Sequence, residues 1–277
     1  MTSKSCPLCL PKNEAVLSQD QQTRVIEVLD PEWPGFRRVI WQDHVAEMTD
    51  LSADQQLEIF QKVLAQEEEL RQQYQPDKIN LASLGNMVPH LHWHVMCRWR
   101  TDPFWPGSVW STPRATQSYA IAGQTVLVDQ WSTLGEQARA VRYPVFVLGQ
   151  AVTEDEEWDG LDPVSRHALI LQSERPVATG RLLSLGAGVG RIGRMAVVEN
   201  ARGQGLGLAI LQALIQEARA LGFDQLILHA QLHALTFYER AGFVAEGPVF
   251  EECRIQHRQM RLTLRSPSWQ SQADTPI

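Results

Sequence analysis

The sequence predicts two folded domains, each of mixed helix and strand. Three observations carry that expectation. The chain has 277 residues, where an ordinary domain has about 150. Hydrophobic residues make up 44% and charged residues 21%, the balance of a globular protein and not of a disordered one. Strand-like and helix-like stretches also recur on both sides of a segment, Pro103 to Gln117, in which Pro103, Pro106, Gly107 and Pro113 fall without periodicity. Placing the boundary near Gln117 gives domains over residues 1–116 and 117–266, with a polar, disordered tail over 267–277.

In chain order, Met1 to Pro11 lacks the apolar core of a signal peptide, and no run reaches the roughly 18 apolar residues of a membrane span. A cytoplasmic protein without membrane contact is expected. Net charge is −7 and evenly spread, so neither half has the basic field that long nucleic acids require. Small molecules are the expected partners. Cys6 and Cys9 stand close together among four cysteines, and in a chain with no mark of secretion such a pair points to metal rather than to a disulfide.

Thr23 to Leu29 and Arg37 to Trp41 read as strands around the turn-rich segment Asp30 to Gly35. Leu51, Leu57, Phe60, Val63, Leu64 and Leu70 recur at helical spacing, which predicts a helix over 51–74 with these residues inward and Glu67 to Glu69 on its solvated face. Lys78 to Leu81 and His90 to Arg98 complete the first set of strands. Beyond Gln117, strands at 145–148, 168–172, 177–183, 193–198 and 225–229 alternate with helices at 206–221 and 234–241, a mixed α/β pattern.

His90, His92 and His94 alternate with Leu91, Trp93 and Val95. A strand has a period of two, so the three imidazoles are expected on one face and the apolar residues in the core. Imidazoles titrate near pH 6.5 and serve as nucleophile, acid or ligand at neutral pH. A polar strand edge and a three-histidine metal site are the other readings of the same pattern.

The stretch resembles the His-φ-His-φ-His-φ-φ motif of the histidine-triad (HIT) superfamily, with Asn80, Gly85 and Asn86 upstream in agreement, over about residues 5–110. The resemblance implies an α+β fold built on an antiparallel sheet, often dimeric, so that a homodimer through this domain is allowed. It also implies attack by a histidine on an α-phosphorus and a nucleotidyl-histidine that water resolves. By position His92 is the nucleophile. His94 and the Gly85-Asn86 turn would stabilise charge on the phosphoryl oxygens, Asn80 would orient the triad or hold the phosphate, and Asp30 would grip the ribose. Met87 departs from the serine that many relatives carry there. In some relatives Cys6, Cys9, His44 and His90 correspond to a two-cysteine, two-histidine zinc site, which would be structural here, and free thiols are the alternative.

Val197 to Gly207 runs from a strand into an amphipathic helix through Arg202, Gly203, Gln204, Gly205 and Leu206, an arrangement suited to an anion at a helix N-terminus. Its spacing is neither the dinucleotide fingerprint nor a Walker loop. The run resembles the Arg/Gln-x-x-Gly-x-Gly/Ala pyrophosphate loop of the GNAT acetyltransferases. That family's later elements follow in order, in Gln231 to Ala234 and Phe237 to Phe243, and the resemblance spans about residues 118–265.

It implies a GNAT fold that uses acetyl-CoA. The amides of Gly203 to Gly207 would hold the pyrophosphate, with Arg202 and Gln204 in the same loop and Gln231 on the later strand. The backbone of Met195, Ala196 and Val197 would pair with the pantetheine arm. Tyr238 would protonate the departing thiolate, and His257 would line the acceptor site or deprotonate the amine. Gly149 stands where a subgroup of relatives has glutamate, and no general base is assigned. The leading reading is two catalytic sites, a nucleotide hydrolase or transferase and an N-acetyltransferase. In the other, only the acetyltransferase is active and the HIT half is a nucleotide-binding sensor or a dimerisation module.

Overall fold

A computed structural model describes residues 6–10, 13–30 and 33–264; the tail expected over 267–277 lies outside them. The chain forms two compact units that divide between Trp99 and Arg100, so the proline-containing stretch 103–117 belongs to the second. Among the described residues no helix is long and apolar enough to cross a membrane.

The first unit is an antiparallel sheet of five strands, β1 (Ala15–Gln19), β2 (Thr23–Glu27), β3 (Phe36–Trp41), β4 (Lys78–Ser83) and β5 (His92–Arg98), in the order β1-β2-β3-β5-β4. One helix, α1 (Ala53–Tyr74), packs on it. Ser52 starts α1 by accepting from the Gln55 amide while the Gln55 side chain returns the bond, which satisfies two otherwise orphaned groups. Arg37 on β3 reaches Gln66 and Glu69 of α1 at 2.8 and 2.7 Å, which fixes the face of β3 that the helix covers. By the period of two, Arg38 and its cross-strand partner His94 lie on the opposite face, together with His92. Helix α1 buries Ile59, Val63, Gln66 and Leu70, whereas Leu57, Phe60 and Leu64 are exposed. The apolar periodicity therefore covers two faces of α1, and the sequence pattern merged them.

The second unit is an eight-stranded sheet built from β6 (Gln117–Ile121), β7 (Gln124–Gln130), β8 (Arg166–Gln172), β9 (Arg175–Ser184), β10 (Val189–Val197), β11 (Gln225–Gln231), β12 (Val244–Glu252) and β13 (Ile255–Thr263), in the order β12-β13-β11-β10-β9-β8-β7-β6. Between β7 and β8 lie α2 (Trp131–Arg142) and the single turn α3 (Glu154–Glu157); α4 (Leu206–Ala220) and α5 (Leu235–Glu239) follow β10 and β11. Helix α4 buries Ile210, Leu211 and Leu214 in a core with Leu182, Ile192, Leu226 and Leu228.

Two expectations need correction. Val145 to Leu148 is not a strand: Tyr143–Leu148 continues α2 as a π-helical turn. A four-residue apolar run does not distinguish a strand from a buried helical segment. His90 also stands ahead of β5, which begins at His92.

β10 and β11 are the one parallel pair among the described residues, and they pair only from Val189↔Gln225 to Arg191↔Ile227. Past Arg191 they part. A bulge in β10 between Gly193 and Ala196, with Arg194 at φ 52°, bends the strand away. Helix α3 holds the bulge: Arg194 Nε lies 2.9 Å from Glu157 Oε2, and its Nη2 donates to the Glu156 carbonyl at 2.9 Å.

Candidate functional site

In the first unit the three histidines divide into two groups. His90 is fully buried, and its Nε2–H donates to the Trp41 carbonyl at 2.6 Å. That bond sets the tautomer and leaves Nδ1 as a bare lone pair. Nδ1 lies 3.4 Å from Cys6 Sγ, 3.3 Å from Cys9 Sγ and 3.3 Å from His44 Nδ1, and His44 Nδ1 is 3.2 Å from Cys9 Sγ. The four donor atoms all lie within 4.8 Å of one another. A tetrahedral zinc ion, with bonds of about 2.3 Å to sulfur and about 2.0–2.1 Å to nitrogen, spaces its ligand atoms by about 3.3–3.8 Å. The donor set and its spacing fit such an ion, and the Trp41 carbonyl supplies the outer hydrogen bond that orients a ligating imidazole.

His92 and His94 form the second group, with ring centroids 4.8 Å apart. His92 Nδ1–H donates to the His90 carbonyl at 2.7 Å, so the lone pair of a neutral His92 resides on Nε2. Burial pushes the pKa of His92 down, and burial, with His92 and Arg38 adding, holds His94 near 4. Both rings are thus kept neutral, the form in which imidazole is nucleophilic.

Asn80 lies on β4 opposite Met96, and its Oδ1 accepts from Arg98 at 2.6 Å, so the bond it makes is to Arg98. Gly85 and Asn86 occupy the loop between β4 and β5, with Asn86 exposed, and Asp30 sits exposed in the turn after β2. Arg38 was missed by the sequence reading. It faces His94 across β3 and β5, lies over the Phe36 ring at 5.5 Å, and its Nε has no hydrogen-bond partner among the described residues. Only the strand register reveals it.

In the second unit, the parting of β10 and β11 opens a cleft of about 580 Å³ lined by Met195, Ala196, Val197, Arg202, Gly207, Gln231 and Tyr238, among others. From Ala196 to Val197, β10 pairs with β9 on one side, and past Arg191 its other edge faces the opening. Gly203 and Gly205 both have φ 77°, a conformation that favours glycine. Gly205 is the N-cap of α4 and offers no side-chain cap, so the first amides of the helix, from Leu206 on, lack a side-chain acceptor. Arg202 Nε donates to the Val197 carbonyl at 3.2 Å, and Gln204 accepts from Gln172. Gln231 Nε2 donates to Gln150 Oε1 at 3.0 Å, tying the end of β11 to the turn after α2.

The Tyr238 ring packs edge-on against Phe237 and Phe243, and burial pushes its phenol up to about 12. His257 lines the same cleft and donates from Nδ1 to the Ile255 carbonyl at 2.8 Å. The sequence reading missed His229, which also lines the cleft and lies 2.8 Å from Glu252 Oε2 through Nδ1. Nothing in the spacing of positions 229 and 252 announces the pair, because it depends on β13 bridging β11 and β12.

A HIT domain family model matches residues 11–101, and an acetyltransferase (GNAT) domain model matches residues 149–264. An uncharacterized N-acetyltransferase of Bacillus subtilis is 36% identical over 121 residues, covering 43% of this chain and 86% of that protein. Among solved structures, an acyl-CoA N-acyltransferase of Pseudomonas aeruginosa is 32% identical and covers 49% of this chain and 97% of that one, with a TM-score of 0.45. A histidine triad protein of Bradyrhizobium japonicum is 27% identical and covers 39% and 82%, with a TM-score of 0.34.

Proposed function

The chain is a fusion of a HIT domain with a GNAT-family N-acetyltransferase domain, and from that premise we propose that both halves catalyse. The observation that carries the reading for the first half is the bond from His92 Nδ1 to the His90 carbonyl, which presets Nε2 for attack. His92 Nε2 forms a bond to the α-phosphorus of a nucleoside phosphoramidate, adenylate or dinucleoside polyphosphate as the bond to the leaving group breaks. Water then cleaves the phosphorus–nitrogen bond and releases the nucleotide. His94, the Gly85-Asn86 turn and Arg38 stabilise the phosphoryl oxygens.

Cys6, Cys9, His44 and His90 would hold a zinc ion. With four protein ligands it would serve as a structural staple, since no coordination position is left for substrate. Those ligands tie residues 6–9 to the sheet and fix the His90 ring, and with it the carbonyl that orients His92.

In the second half the amides from Gly203 to Gly207 hold the pyrophosphate of acetyl-CoA, and Met195 to Val197 pair with its pantetheine arm. A neutral amine attacks the thioester carbonyl, the carbon–sulfur bond breaks, Tyr238 gives its proton to the thiolate, and the proton lost by the nitrogen returns through solvent to Tyr238. The pushed-up phenol keeps that proton at neutral pH.

The test is turnover of a phosphoramidate, an adenylate and a dinucleoside polyphosphate by the intact chain and by His92→Asn. Loss of turnover by about 10³-fold or more, with acetyl transfer retained, is expected. Unchanged turnover in His92→Asn would favour the sensor reading.

A further inference from the structure

The charged side chains that line the acetyltransferase cleft are matched within its walls, with one exception on the face opposite α4. Arg181 is bound by Asp159 and Asp162 at 2.6 and 2.9 Å, Arg194 by Glu157, Glu156 by Arg254 at 2.9 Å, and Glu252 by His229. Arg202 belongs to the pyrophosphate loop and bonds the Val197 carbonyl. Arg191 lines the cleft but forms no hydrogen bond or ion pair among the described residues. It stands at the last paired position before β10 and β11 separate, opposite Ile227. His229 lies two residues along β11, so it projects from the same face. Burial pushes the pKa of Arg191 down from its ordinary value, yet a guanidinium stays charged at neutral pH. Glu252 and Asp159 offset this only through space, without a direct ion pair. A desolvated cation that no carboxylate binds directly is costly, and an anionic ligand in contact with it reduces that cost.

His229 complements it. Its Nδ1–H donates to the Glu252 carboxylate at 2.8 Å, the imidazole packs edge-on against Phe250, and Nε2 is left with its lone pair. A carboxylate behind an imidazole fixes its tautomer and stabilises the imidazolium that forms when it takes a proton.

Resting on the acetyltransferase reading, we propose that the acetyl acceptor is a primary amine carrying an anionic group, a carboxylate or a phosphate, held by Arg191, while His229 backed by Glu252 receives the amine's proton. The acceptor enters as an ammonium and loses one proton to His229 Nε2, which passes it to solvent. The neutral amine attacks the thioester carbon, the carbon–sulfur bond breaks, the thiolate leaves as the thiol with the proton from Tyr238, and the nitrogen's second proton, passed through solvent, restores Tyr238. The balance is acetyl-CoA plus ammonium giving the amide, the free thiol and one proton. Arg191 takes no part in bond making, so its effect falls on acceptor KM, and that of His229 falls on kcat.

The test measures CoA release by the intact chain with matched amines that differ in the anion, such as β-alanine, O-phosphoethanolamine and ethanolamine, within a wider panel of such pairs. The expected result is a kcat/KM at least about tenfold higher for anionic members; the carboxylate and phosphate arms identify which anion is preferred. Arg191→Gln should raise acceptor KM about tenfold or more and erase the preference, with Arg191→Lys restoring part of it. His229→Gln should lower kcat by about 10², with acceptor KM little changed. Acetyl-CoA affinity, measured by calorimetry, reports that each variant is folded. If acetyl-CoA binds and transfer proceeds equally with neutral and anionic amines, or if no amine of the panel is acetylated, the acceptor assignment is wrong while the GNAT reading stands. If the wild-type chain does not bind acetyl-CoA, the underlying reading fails instead.

Discussion

The two candidate sites are built in opposite ways. In the HIT unit the candidate histidines come from one short stretch, His90 to His94, and two backbone carbonyls, those of Trp41 and His90, decide which nitrogen of the His90 and His92 rings carries a proton. In the acetyltransferase unit the groups come from β10, β11, β12, α5 and the loop before α4, gathered around the gap where two strands part. The difference follows from the chemistry proposed for each half. A protein that supplies its own nucleophile must hold one atom in one protonation state before substrate arrives. A protein that brings two substrates together needs an opening with groups placed around it.

If the contrast is right, each site fails without disturbing the other, and the sharpest way to break it is Tyr238→Phe. Its kcat for acetyl transfer should fall about 10²-fold, with nucleotide turnover unchanged. A parallel loss of both activities would show that the sites are coupled. The pH dependence sharpens the same point. Because burial raises the phenol to about 12, the acid keeps its proton well above the ordinary tyrosine range near 10, and loses it only as pH rises through about 12. The wild-type kcat profile should therefore show no alkaline fall from this group below about pH 11. A fall near pH 10 that vanishes in Tyr238→Phe would contradict the burial argument.

Next in size is Gly205→Val. A β-branched residue at φ 77° is strained by about 1–3 kcal/mol, and the loop would relax away from the pyrophosphate. KM for acetyl-CoA should rise about tenfold, with nucleotide turnover unaffected. Zinc removal probes the other unit: Cys9→Ser should abolish metal retention, measured by elemental analysis, and lower the temperature at which nucleotide turnover is lost by at least about 4 °C. Loss of metal without any thermal effect would deny it a structural role. The smallest effect belongs to Ser52→Ala, which removes the N-cap of α1 and should cost about 1 kcal/mol in urea unfolding, with no change in either kcat.

How far each site could be read from sequence follows from the same contrast. The placing of His92 and His94 together was legible because a strand has a period of two, whereas His90, ahead of the strand, turns to the cysteines. The glycine turn before α4 was legible because Gly203, Gly205 and Gly207 lie close together in the chain. Arg38 and the His229–Glu252 pair were not legible, since strand register brings them into place across elements distant in sequence. Strand β12, with Glu246, Glu251 and Glu252 among its residues, carries no clean alternation. Helix α2 was missed although Leu134, Ala138 and Val141 are spaced for one buried face, and its π-helical continuation read as a strand because Val145 to Leu148 is wholly apolar. The separation of Leu57, Phe60 and Leu64 from the buried face of α1 required the sheet to be in place. Only then does Arg37 show which side the helix covers.

The most direct test of two independent catalytic sites is intact-mass analysis of the full chain after rapid acid-free quenching during phosphoramidate turnover. The account predicts a chain heavier by one nucleotidyl group, mapped by digestion to His92 and absent from His92→Asn, in protein that still transfers acetyl groups. Turnover that continues undiminished in His92→Asn, with no adduct in the wild type, would contradict it.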